Sequence, residues 1–222
     1  MNKIINGDNI NTGSSIFSPK NEYVYIIDPG HGINTPGKRS PIWSDGSQLF
    51  EYEYSRAIAK YLESYLDEYQ YKYYNVCPEI TDTPLPIRIS RANKYMKSIG
   101  KKCLYISIHG NASDNKSAHG FEVFTSLGLT TSDFCAQILY DKVEESGLFR
   151  MRPCFADGLP GKEQNFMVLR DTAMPAILSE NGFFTNKIEC DKMMTDDFRK
   201  KVAKLHFDAI VDIDANSILD KK

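Results

Sequence analysis

Three residues suited to metal binding or proton transfer recur in one kind of setting. His31 lies in Ile26-Ile27-Asp28-Pro29-Gly30-His31-Gly32, directly after the apolar run Tyr23 to Ile27. His109 follows the run Leu104 to Ile108, and Glu180 follows Pro175 to Ser179. Short apolar runs that stop at Gly, Pro or polar residues read as buried strands. Open α/β sheets hold their ligands beyond the carboxyl ends of such strands. His31, His109 and Glu180 are therefore expected on one edge of one sheet. Glu51 and Glu53 open a helical stretch and supply a further carboxylate. Gly30 and Gly32 are expected to take backbone conformations that other residues resist, bending the chain so that His31 faces the site.

Two histidines and a glutamate with an open fourth position are a standard donor set for catalytic zinc. Such a metal activates water and polarises a carbonyl, while a carboxylate that is not a ligand moves the protons. The inventory of two His, one Glu and one spare Glu fits. Two strand-end histidines can equally be hydrogen-bonded loop residues, and spacing alone leaves that alternative open. It also leaves open whether Glu51 or Glu53 takes part.

The elements that must position these residues follow from periodicity. Strands are expected at Tyr23 to Ile27, Lys72 to Cys77, Leu104 to Ile108, Gly120 to Thr125 and Pro175 to Ser179, with a short one at Phe166 to Leu169. Helices are expected from Tyr52 to Gln70, Ile87 to Ile99, Ser132 to Ser146 and Asp196 to Ile213, the last capped by Thr195. Strands alternating with helices argue for a single α/β domain with a largely parallel sheet. Long loops fill Gly32 to Phe50 and Leu148 to Gln164, a length common in functional loops. The chain of 222 residues, 41% hydrophobic with net charge −2, gives no sign of a nucleic-acid partner or a membrane span. Five dispersed cysteines without a CxxC pair argue against a disulfide framework and a cysteine-type zinc site. Residues 1–22 read as an arm outside a domain at 23–222. They lack the apolar core of a signal peptide, so synthesis in the cytoplasm without that route is expected.

DPGHG at 28–32, SIHGNA at 107–112 and SENGFFTN at 179–186 resemble the three signature blocks of the zinc-dependent N-acetylmuramoyl-L-alanine amidases of the amidase-3 type. EYEYSRAIAKYL at 51–62 resembles that family's glutamate-bearing helix, and LPIRISRAN at 85–93 its Arg-and-Ala-Asn helix. The resemblance runs from about Tyr23 to Ile213. It implies a twisted mixed sheet of about six strands with helices on both faces. It implies hydrolysis of the amide between the lactyl group of N-acetylmuramic acid and L-alanine in peptidoglycan, with one zinc ion per chain. His31, Glu51 and His109 would be the ligands and Glu180 the catalytic base; Glu53 is the fallback ligand. The loop NTPGKRSP at 34–41 resembles prophage-encoded amidases, and Ile33 replaces a second glycine often found after the histidine. Without a signal peptide, the loop resemblance implies an endolysin-like enzyme acting on the cell wall after release, with turnover of wall fragments in the cytoplasm as the other setting; a monomer is expected. Two further functions fit the blocks less well: a zinc peptidase cutting within the stem peptide, and a catalytically silent wall-binding module.

Other residues have a functional and a structural reading. Asn111 orients substrate or bonds its own turn. Arg150 and Arg152 recognise a stem-peptide carboxylate or are solvated surface charges. Trp43 stacks on substrate or pins its loop. His119, outside any matched position, and His206, beside an apolar stripe, read as structural, as do Arg88 and Arg91.

Overall fold

The apolar runs form the middle of one sheet. In the computed structural model, which describes residues 22–155 and 158–220, β1 (Tyr23–Pro29), β3 (Lys102–Asn111) and β6 (Ala176–Phe183) lie side by side and parallel. With β2 (Tyr73–Asn75), β4 (Phe121–Thr125) and β5 (Lys162–Glu163) they make a six-stranded sheet in the order β2-β1-β3-β6-β4-β5. Four strands are parallel; β4 runs antiparallel to β6 and carries β5 beside it. Residues 1–21 of the expected arm lie outside the described residues.

Helices cover both faces, which is why β1 reads as a continuous buried run rather than an alternating one. Successive side chains point to opposite faces. Tyr25, Ile27, Leu104, Ile106 and Ile177 pack with α1 (Glu51–Glu68), α3 (Thr131–Ser146), α5 (Lys187–Met193) and α6 (Asp196–Ala215). Val24, Ile26, Cys103, Tyr105 and Leu178 pack with α2 (Leu85–Ile99) and α4 (Met167–Arg170). The same two-residue period carries Asp28, Ser107, His109 and Glu180 onto the α2/α4 face. Thr195 accepts a hydrogen bond from the Phe198 N–H and caps α6, as its type and position suggest. No helix among the described residues is long and apolar enough to cross a membrane, and all five cysteines are free.

Three local expectations are corrected. Phe166 to Leu169 is not a strand: a helical turn, α4, occupies Met167–Arg170. Val168 and Leu169 bury against the sheet as a strand pair would, and a run this short has no period to tell the two apart. β5 and α5 were not expected, being two and seven residues long. The last strand does not stop at Ser179 but continues to Phe183, so Glu180 is held inside a strand rather than in the loop after it.

His206 lies in the core, 2% exposed. Its Nδ1 lies 2.9 Å from the Val202 carbonyl and its Nε2 2.9 Å from the Ser179 hydroxyl. Burial pushes its imidazole down to about 4. Between pH of about 6.5 and 4 the unfolded chain takes up a proton that the folded protein refuses. Stability is therefore expected to fall by roughly 3 kcal/mol as pH drops through that window. Denaturant midpoints at pH 7 and pH 4.5 should show a smaller loss in His206→Gln than in the parent; equal losses would contradict this role.

Candidate metal centre and active site

His31 is presented by backbone rather than by a regular element. It adopts φ +60°, a left-handed conformation uncommon outside glycine. The strain therefore falls on the histidine, and neither Gly30 nor Gly32 has positive φ. This corrects the expectation about the glycines: they are needed for space. A Cβ on Gly30 would lie 2.4 Å from the His109 ring, and one on Gly32 2.0 Å from the Asp82 backbone nitrogen. Helix α1 holds the turn. Ser55 Oγ donates to the Gly30 carbonyl at 2.8 Å and Arg56 Nη1 to the His31 carbonyl at 2.6 Å.

The first residue of α1 delivers the carboxylate. Glu51, 2% exposed, places Oε1 3.3 Å from His31 Nε2 and 2.9 Å from His109 Nδ1. The Gly110 N–H also donates to it at 3.3 Å. Donor atoms of His31, Glu51 and His109 all lie within 4.8 Å of one another. Ligands of a tetrahedral zinc at about 2.0–2.1 Å sit roughly 3.3 Å apart, so this cluster has the spacing and the donor chemistry for such an ion. Glu53 is exposed and accepts from the Tyr52 hydroxyl at 2.9 Å, outside the cluster.

Behind His109 runs a buried chain of polar groups. His109 Nε2 lies 3.2 Å from Ser107 Oγ, which donates to Asp28 Oδ2 at 2.7 Å. Asp28 in turn accepts from Arg88 Nη1 at 2.6 Å. Glu180 stands beside His109 across the β3–β6 pairing. Its Oε2 is buried and has no hydrogen-bond partner among the described residues.

Residues 26–212 match the family described as N-acetylmuramoyl-L-alanine amidase. The chain belongs to that family. It is 30% identical over 188 residues to the N-acetylmuramoyl-L-alanine amidase CwlM of Bacillus licheniformis, covering 82% of this chain and 64% of that protein. It is 30% identical over 192 residues to an endolysin of Bacillus phage SPP1, covering 84% of this chain and 64% of that protein. The crystal structure of an N-acetylmuramoyl-L-alanine amidase from Clostridium difficile 630 matches with a TM-score of 0.75 at 28% identity, covering 87% of this chain and 97% of that one. The chain thus spans less than two thirds of the length of these curated relatives.

In this amidase-family chain the two carboxyls are driven apart. For Glu51, burial acts upward, but hydrogen bonds from His109 and His31 outweigh it and hold the group down at about 2. For Glu180, burial and the nearby Glu51 charge raise the carboxyl to about 8 against the pull of His109. Pairs of acids separated in this way are a mark of catalytic sites.

Both carboxyls and both histidines line one cavity of about 630 Å³, which Leu85, Phe166 and Met167 also line. Of the further residues put forward from sequence, Asn111 also lines it; its amide donates to Glu122 at 2.8 Å and its Oδ1 accepts from the Ala112 N–H. Arg150, Arg152 and Trp43 are not among the lining residues. Arg152 pairs with Glu122 at 2.7 Å and lies over the Phe183 ring. Arg150 is exposed, and its carbonyl holds Phe121. Trp43 packs on the core with Nε1 3.2 Å from Cys190 Sγ. Sequence reading missed Asp28, Ser107 and Lys38. For the first two a signal was present: each continues the parity of a strand's buried face, Asp28 after Val24 and Ile26, Ser107 after Cys103 and Tyr105 and before His109.

Proposed function

We propose that this chain is a zinc-dependent hydrolase of the amide joining the lactyl group of N-acetylmuramic acid to L-alanine in the bacterial cell wall. Residues 23–222 would form its catalytic domain. The observation that carries the reading is the convergence of His31, Glu51 and His109 in the cavity that Glu180 also lines. One zinc ion per chain would be held by His31, Glu51 and His109. When bound, it would supply Lewis acidity to the scissile carbonyl and to water. Glu180 takes the proton of the attacking water and passes it to the departing amine of L-alanine. In the metal-free protein burial lifts this carboxyl above its ordinary range, which suits a group that exchanges protons with substrate. Asn111 borders the same space, with its side chain held by Glu122 and by the Ala112 N–H of its own turn. The likeness to a phage endolysin supports an intact cell wall as the target.

The test combines metal content with product analysis. Purified protein should carry about one zinc per chain. Digested peptidoglycan should show new L-alanine amino groups and intact muramic acid. New amino groups elsewhere in the stem would favour a zinc peptidase, and no cleavage with retained binding would favour a wall-binding module. Glu51→Ala should lose zinc, and Glu53→Ala should keep it. The opposite pattern would remove Glu51 from the site.

A further inference from the structure

We propose that Lys38 anchors a carboxylate of the substrate's stem peptide and so gives the enzyme a preference for substrates with a free acid next to L-alanine. The proposal rests on the amidase reading above and names a specificity residue for it. The cavity wall carries four carboxylates, Asp28, Glu51, Asp82 and Glu180, and two permanent cations, Lys38 and Arg88. Arg88 is fully engaged: it is 2% exposed and pairs with both Asp28 and Asp82. Lys38 makes no ion pair or side-chain hydrogen bond among the described residues, yet its charge acts on Glu180. It is thus the cation of this cavity left for a ligand.

The backbone of Lys38 is fixed by the fold, and its exposed side chain borders the cavity. The Lys38 carbonyl accepts the Glu51 N–H at 3.0 Å, Arg39 bridges Phe50 in antiparallel fashion, and Ser40 N–H donates to the Leu49 carbonyl at 2.9 Å. The Ser40 hydroxyl also accepts from the Leu49 N–H at 2.9 Å. This short zipper delivers Glu51 to the histidines and, by the same hydrogen bond, Lys38 to the cavity wall. The segment thus serves the metal cluster through its backbone, while the Lys38 side chain is left for another role.

The ligand chemistry follows from the bond to be cut. The residue after L-alanine in a stem peptide is a γ-linked D-glutamyl unit whose α-carboxyl is either free or amidated. Two extended residues span at most about 7 Å, which puts that group within the cavity when the scissile carbonyl lies beside Glu180. A lysine there discriminates acid from amide by a charge-assisted hydrogen bond. The two arginines considered from sequence do not border this cavity.

The experiment compares N-acetylmuramoyl-L-alanyl-D-isoglutamate with its isoglutamine counterpart. The zinc-loaded parent, Lys38→Met and Lys38→Arg are assayed for hydrolysis; binding is measured by calorimetry on zinc-loaded Glu180→Gln with and without Lys38→Met. The parent should favour the acid by roughly tenfold or more in kcat/KM, mostly through KM. Lys38→Met should bring the two substrates within about twofold of each other, and Lys38→Arg should keep most of the preference. No preference in the parent, or an equal loss on both substrates in Lys38→Met, overturns the proposal. Preferential binding of the acid that depends on Lys38, without hydrolysis, would uphold Lys38 and sink the amidase reading. Hydrolysis without preference would do the reverse.

Discussion

Glu180→Gln is expected to lower the rate of wall hydrolysis by about a thousandfold, the scale of general acid–base catalysis, while zinc stays at about one per chain. Glutamine keeps the shape and one polar oxygen, so the packing around it has no reason to change, but the amide can neither take nor return a proton. A second readout separates catalysis from scaffolding. The Glu180 carboxyl sits at about 8 in the folded protein against an ordinary 4.5. Above pH of about 4.5 the unfolded chain therefore releases a proton that the folded apoprotein holds. Its contribution is full below that pH and is lost as pH rises towards 8. Glutamine has no such dependence. The metal-free variant should thus be more stable than the metal-free parent at pH 7, by about 1–3 kcal/mol, with the gap closing by pH 4.5. Loss of activity accompanied by a gain in stability marks a group kept at a functional site against its own solvation. If the variant stays active, or loses its activity together with its zinc or its fold, Glu180 is not the proton carrier.

Much of this site was legible in the sequence because its parts end apolar runs. The runs before His31 and His109 fix two interior strands, and the place of those strands in the sheet follows from their burial on both faces. Glu180 was found for the same reason, although β6 runs three residues beyond it. Periodicity could not choose between Glu51 and Glu53. Both open α1, and the decision is made by the backbone zipper to residues 38–40, a non-local contact with no period. Phe166 to Leu169 failed for the complementary reason: four residues bury two side chains equally well as a strand or as a turn of helix. The glycines were read as conformational when they are steric. Sequence shows that a side chain is missing, whereas only the structure shows the His109 ring filling the space. Lys38 was overlooked because exposed lysines carry no local signal; its meaning comes from Arg88 being engaged elsewhere in the same cavity.

Arg88→Met is expected to cost about 3–5 kcal/mol of stability, the usual consequence of removing one partner of a buried ion pair. Arg88 is 2% exposed and Asp28 1% exposed. The guanidinium donates to Asp28 at 2.6 Å, to the Thr83 carbonyl at 2.6 Å and to the Pro29 carbonyl at 2.9 Å. It therefore neutralises a carboxylate under the sheet edge and ties α2 to the end of β1. Methionine fills the volume but leaves Asp28 charged and desolvated, so the loss should be a substantial share of a typical folding free energy of about 5–15 kcal/mol. Lysine keeps a charge without the planar fork and should recover only part of it. The pair also reaches the metal cluster, since Asp28 orients the Ser107 hydroxyl that faces His109. Ser107→Ala leaves the ion pair in place and should lower zinc affinity roughly tenfold or more, as the loss of such supporting groups does, with a far smaller effect on the urea midpoint. Arg88→Met combined with Asp28→Leu should regain much of the stability and none of the affinity. Chelator competition and urea unfolding on the same four proteins separate the two roles. If the double variant binds zinc like the parent, Asp28 holds the fold alone, and His109 is positioned by Glu51 without help from behind.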